Sequence, residues 1–242
     1  MSAGVLSAYD YPGEEVPVVK GSALKACEGD AEEIANIEKL LDAIDTAIPT
    51  PERPLDGDFY MPVEKVCSVE GRGTVVTGKI DRGVVKRGEE IEIVGFGETR
   101  KATVTDIECY HKLLDEGQAG ESVGLLLRGV RKDDVARGMV IAKPGSVEAH
   151  GRFKAELTLL TKDEGGRHTP FFDSYAPQFF FGTTSVTGVV GLPEGIEMAS
   201  PGDRLEVTVD LKDPVALEKW HRLAIREGSR TIGAGCVTEV LG

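Results

Sequence analysis

What this 242-residue chain lacks narrows its chemistry first. Its four cysteines, Cys27, Cys67, Cys109 and Cys236, show no C-x-x-C spacing and no histidine at ligand spacing. Neither a zinc site nor a disulfide framework is indicated, and reduced, buried thiols are the expectation. No apolar run approaches the roughly 18 residues of a membrane-spanning helix. The N-terminus has no charged segment followed by an apolar one, so a cytoplasmic protein with no membrane partner is expected. Positive charge is also scarce: 28 Lys and Arg face 41 Asp and Glu, a net charge of -13. Non-specific nucleic-acid binding rests on cations meeting phosphates and is therefore disfavoured, although a local basic stripe is not.

A complete phosphate loop is missing as well. From Gly73 the segment GRGTVVTGKIDRG has the spacing G-x-x-x-x-G-K, but Ile80 stands where a Ser or Thr hydroxyl must hold magnesium. Thr74-Val75-Val76-Thr77 is a β-branched run and Asp81-Arg82-Gly83 a turn signal, where a phosphate cradle needs a loop leading into a helix N-terminus. The pattern predicts a β-hairpin instead, with a strand over 74–80, a turn, and a strand over 84–86.

The length allows one large or two ordinary domains of about 100 to 200 residues each. Ile34, Ile37, Leu41, Ile44 and Ile48 recur at three and four residues, which predicts one apolar stripe on a helix capped by Asp30 and Glu33. Pro49, Pro51 and Pro54 end it and begin a stiff linker over 49–57. Upstream, Pro17-Val18-Val19 reads as a short strand leading into GSALKA, so 1–48 looks like the closing β-α portion of an α/β domain. Beyond the linker, short β-rich runs alternate with turns at 81–83, 86–89 and 201–203. That rhythm predicts two consecutive β-barrels, over 58–146 and 149–242, divided by Lys143-Pro144-Gly145-Ser146.

Five stretches are longer and more specific than a generic barrel requires: GRGTVVTGKIDRG, LLDEGQAGESVGLLLRGV, DEGGRHTPFF, PQFFFGTTSVTG and IREGSRTIGAG. Together, and in this order, they resemble bacterial elongation factor Tu over nearly the whole chain. YDYPG, GSALKA and EGDAE resemble the end of that family's P-loop GTPase domain. The resemblance implies a mostly β fold, two barrels behind a short α/β remnant, and a role in carrying aminoacyl-tRNA to the ribosome in peptide-chain elongation. It implies aminoacyl-tRNA, the ribosome and a nucleotide-exchange factor as partners. GTP and magnesium are cofactors of the intact family, but D-x-x-G in a fitting place and N-K-x-D are absent here, so this polypeptide alone is expected neither to bind nor to hydrolyse GTP.

The resemblance also assigns residues. It places Ser22, Ala23 and Leu24 at a residual guanine contact. It places Glu64, Val75, Thr77 and Ser122 in a pocket for the aminoacyl group, with Glu108 beside the terminal adenosine; Val75, taken alone, reads as core. Arg137 would lie near the 5′ end of the acceptor stem. Arg167, His168, Gln178, Thr187, Arg226, Glu227 and Gly228 would meet T-stem backbone and 2′-hydroxyls, as recognition of RNA shape requires. His168 reads equally as a structural histidine.

Several positions depart from the family. Lys65, Cys67 and Ser122 stand where it usually has Asp, Phe and Asn. His111, Ala176 and Gly182 occupy usual Arg positions, and Asp173 and Asp213 usual Lys positions. Lost cations weaken RNA binding and flatten its salt dependence. A second reading therefore stands beside elongation: a non-enzymatic RNA- or partner-binding module derived from the family. No catalytic residue and no metal site is assigned.

Overall fold

The computed structural model describes residues 4, 6, 7, 11–69 and 71–242. It divides into two units, Met1–Glu52 and Arg53–Gly242. Tyr9 and Asp10 of YDYPG lie outside the described residues.

The first unit holds helices α1 (Ala23–Cys27) and α2 (Ala31–Ala47). Asp30 caps α2, its Oδ1 accepting the N–H groups of Glu32 at 3.0 Å and Glu33 at 3.2 Å. The Glu33 carboxylate does not close a capping box; it accepts the Ser22 N–H at 2.8 Å and so ties the start of α1 to α2. The apolar stripe forms on α2, but Ile34, Leu41, Ile44 and Ile48 are exposed. Pro17–Val19 forms no strand, because no described residue of this unit offers it a ladder. Among the described residues of 1–48 the structure has helices and no strand.

The second unit contains both β domains. In the first, the strands are β1 (Tyr60–Pro62), β2 (Lys65–Val69), β3 (Gly73–Lys79), β4 (Val84–Lys86) and β5 (Glu90–Val94). They continue as β6 (Arg100–Cys109), β7 (Lys112–Leu114), β8 (Glu116–Gln118), β9 (Ser122–Arg128) and β10 (Val140–Ala142). The main sheet runs β1-β10-β5-β6-β9-β3-β2. Its two ends are halves of one bent stretch, 60–69: β1 pairs with β10, and β2 with β3. The chain itself therefore rolls the sheet into a barrel around Val76, Ile80, Ile91, Val104, Ile107 and Leu125.

The expected hairpin does not form. β3 pairs with β2 and β9, while β4 pairs with β8. The reason is the linker: Gly83 donates to Pro54 O at 2.8 Å, and Tyr60 exchanges hydrogen bonds with Asp81 and Arg82 at 3.0 and 3.1 Å. The turn's backbone groups are used by the incoming chain and not across a hairpin. Gly83 sits at φ +73, where a Cβ would meet Gly57 O at 2.5 Å. Arg53 and Pro54 thus lie against the barrel, Arg53 facing Glu121 at 3.7 Å.

The second domain contains β11 (Ala149–Leu159), β12 (Phe171–Phe172), β13 (Gln178–Phe181), β14 (Thr184–Gly191) and β15 (Met198–Ala199). It ends in β16 (Arg204–Ala216), β17 (Arg222–Glu227) and β18 (Arg230–Val240). Six strands close a barrel in the order β11-β16-β14-β13-β17-β18. Phe153 packs edge-on to Phe179 and Phe181, with ring centroids 6.1 and 5.7 Å away. The two barrels share an apolar seam of Tyr60, Val94, Val140, Ala142, Val147 and Ala216. Arg82 of the first barrel grips Glu218 of the second with two bonds of 2.7 and 2.8 Å. The cysteines are free, but Cys27 is exposed and the other three are half-buried, which corrects the expectation of buried thiols.

Candidate nucleic-acid interface

The outer face of the first barrel carries a cavity of about 420 Å³. Its floor follows from strand register. Lys65, Thr77, Gly124 and Glu108 form one cross-strand row through β2, β3, β9 and β6. Cys67, Val75, Leu126 and Asp106 form the next. On β3 alternation sends Val76 into the core and turns Val75 and Thr77 outward. The reading of Val75 as core is therefore corrected: it is half-buried and lines the cavity.

Glu64, Val75, Thr77, Glu108 and Ser122 all line this one cavity. So do three residues that sequence reasoning missed: Arg72, Asp106 and Tyr110. Asp106 reaches the outer face because a bulge between Val104 and Asp106 shifts the β6 register. Its carboxylate is met by Arg72 at 3.2 Å and by Arg87 at 3.3 Å. Glu108 faces the His111 ring at 3.5 Å. Tyr110 and His111, both at positive φ, stand at the rim, with Tyr110 85% exposed. Three carboxylates, one of them paired with two arginines, thus line a cavity together with Val69, Val75, Leu113 and Leu126.

A second surface lies on the other barrel. Thr187, Gln178 and Arg226 are direct cross-strand partners in one row over β14, β13 and β17. The Arg226 guanidinium lies over Phe180 at 5.3 Å, and its buried Nε has no hydrogen-bond partner among the described residues. Beside the row, Arg167, His168, Glu227 and Gly228 line a shallow cleft together with Thr169, Ser229 and Arg230. Arg167 is held there by Glu227 at 2.6 Å and the Tyr175 hydroxyl at 3.0 Å. His168 is exposed, and Gly228 takes φ +58 in the turn between β17 and β18. Asp173 accepts the Leu192 N–H at 2.9 Å, and this bond and one from the Ser174 hydroxyl hold its carboxyl below the usual range.

Arg137 belongs to neither group. It is exposed in the loop before β10, next to Gly138, whose carbonyl accepts the Thr184 hydroxyl across the seam. Ser22, Ala23 and Leu24 lie in the first unit at the start of α1. The phosphate-loop-like spacing falls on the continuous strand β3, with no loop and no helix N-terminus behind it.

Residues 73–142 match the family model for elongation factor Tu domain 2, and residues 146–241 match that for the elongation factor Tu C-terminal domain. The chain is an elongation factor Tu-like protein. The two matches fall in the two barrels in order, the first beginning after β1 and β2, and the break between them falls on the 143–146 turn. Within this elongation factor Tu-like chain most of the cavity belongs to the first matched stretch, while Glu64, Val69 and Arg72 precede it. The Thr187-Gln178-Arg226 row and the Arg167 cleft belong to the second. A general involvement in translation follows from the two domains.

Proposed function

We propose that this chain binds aminoacyl-tRNA and serves its delivery to the ribosome in peptide-chain elongation. The first barrel takes the aminoacyl end in the Glu64–Glu108 cavity, and the second tracks T-stem backbone with Arg226, Gln178, Thr187 and the Arg167 cleft. One observation carries the reading: five residues separated by up to 58 positions in sequence, Glu64 to Ser122, meet in a single cavity of a size that suits an amino acid. An esterified α-amino group is satisfied by carboxylates, and an unpaired RNA end by shape, stacking and edge contacts. Ribosome, exchange factor and a cytoplasmic setting belong to the same proposal.

The Ser22 N–H is already given to Glu33, and β3 offers no phosphate cradle. The proposal therefore assigns this chain binding and no catalytic step.

The binding module that has left elongation remains the second reading, because Arg72 and Arg167 are already engaged by Asp106 and Glu227. Protection of the aminoacyl ester tests between them. A cavity that covers the ester slows its spontaneous hydrolysis on charged tRNA in proportion to occupancy. An unchanged ester half-life at saturating protein would refute the elongation reading.

A further inference from the structure

Asp106, with a side chain 22% exposed, lies on the cavity floor with its Oδ2 on Arg72 and its Oδ1 on Arg87. Arg72, 55% exposed, is the cation that lines the same cavity. Glu64 and Glu108 are the other acids there, and both belong to exposed residues. Without Asp106, the Arg72 guanidinium, already in the lining, would be released to pair with one of them.

We propose that Asp106 sets which aminoacyl groups this chain accepts, by holding Arg72 out of play so that a cationic side chain is favoured and an acidic one rejected. The inference rests on the aminoacyl-tRNA reading and names the substrate class within it. The physical basis is differential. The ester's α-ammonium occupies one carboxylate, and the second is left to attract a lysyl or arginyl group and to repel a glutamyl or aspartyl group. In a cavity partly withdrawn from water such like-charge opposition is screened less than on an open surface. Rejection by an unpaired like charge is a common source of specificity. Asp106 acts through Arg72 and is a positioning residue.

The bulge in β6 supports this placement. It costs a break in the ladder between Val104 and Asp106, and its effect is to bring Asp106 onto the cavity face beside Glu108 while Ile107 stays in the core.

The test uses the full chain and one tRNA body charged in turn with lysine, valine or glutamate, so that only the aminoacyl group differs. The wild-type protein is expected to bind the lysyl form about tenfold tighter than the glutamyl form, with valyl between, tenfold being about 1.4 kcal/mol. Asp106→Asn keeps the shape and removes the charge; it should bring lysyl and glutamyl to within about twofold of each other and leave valyl within about twofold. Arg72→Gln is the second variant, and it should widen the lysyl preference. A merely structural role for Asp106 would weaken all three esters together. Equal affinities in the wild type, or a lysyl preference undiminished in Asp106→Asn, would overturn the inference. Binding of deacylated tRNA as tight as every charged form would be a different failure, that of the aminoacyl reading itself.

Discussion

Arg82 and Glu218, 136 residues apart in sequence, are joined by two hydrogen bonds of 2.7 and 2.8 Å that fasten one barrel to the other. The fork-to-fork geometry is the strong form of an ion pair. Arg82 also lies over the Tyr60 ring at 4.7 Å, and Tyr60 meets the His221 ring edge-on at 6.2 Å. Both charged side chains are about two-thirds covered, 32% and 34% exposed. Arg82→Ala is expected to cost about 1–2 kcal/mol, between the values for surface and buried pairs. Equilibrium denaturation checks this, and the double variant Arg82→Ala/Glu218→Ala should cost less than the two single losses added.

His221 stands at the same seam, facing the Tyr60 and Phe181 rings, Glu218, Asp81 and Arg82. Burial pushes its pKa below the ordinary 6.5; Glu218 and Asp81 oppose that shift and Arg82 adds to it. Its Nδ1 has no hydrogen-bond partner among the described residues. The unfolded chain takes up this proton more readily than the folded one. The contribution to stability is therefore complete above about pH 6.5 and declines as the pH falls through 6.5 toward the lowered value. Stability measured from pH 7.5 to 5 should show that decline, and His221→Gln should flatten it. An unchanged profile would remove His221 as the cause.

Gly83→Ala should destabilise by about 2 kcal/mol or more, since a left-handed backbone and a collision with main chain act together. The Cβ would lie 2.5 Å from Gly57 O and 2.6 Å from Phe59 N, neither of which can yield without moving the linker. Gly145→Ala, at φ +72 with nothing within 4 Å, is the control that isolates the backbone cost. Equal losses in the two variants would show that the linker is not fixed against Gly83.

RNA binding should be salt-dependent through few cations. Arg226→Ala is expected to lower affinity for charged and deacylated tRNA alike and to reduce the slope of log K against log salt by about one. Titration over a salt series measures this. A slope unchanged in the variant would remove Arg226 from the contact.

GTP should not bind to this chain. Calorimetric titration with GTP and magnesium is expected to give no heat of binding at micromolar protein, and a micromolar affinity would contradict the assignment of β3 as strand and of Ser22 as a helix cap.

Local signals were legible and long-range ones were not. The Asp30 cap and the stripe on α2 each rest on neighbours within a few residues, where propensity and spacing act directly. The 74–80 and 84–86 strands were legible too, but not their partners. Whether Asp81-Arg82-Gly83 closes a hairpin depends on Pro54 and Tyr60, which claim the same backbone groups from over twenty residues away. Val18 and Val19 carried strand propensity without a sheet to join. In the cavity, Val75 and Thr77 were found through resemblance, while Asp106 escaped because a bulge breaks the alternation that would have placed it. Arg82 and Glu218 left no mark that sequence spacing could reveal.

The central claim is that the first barrel's cavity takes the aminoacyl end of tRNA. Its most direct test is the affinity of this chain for one tRNA in charged and deacylated form at fixed salt. The account predicts tighter binding of the charged form, by about tenfold or more, and loss of that preference in Glu64→Gln/Glu108→Gln. Equal affinity for the two forms would contradict it and leave a module that binds RNA by its backbone alone.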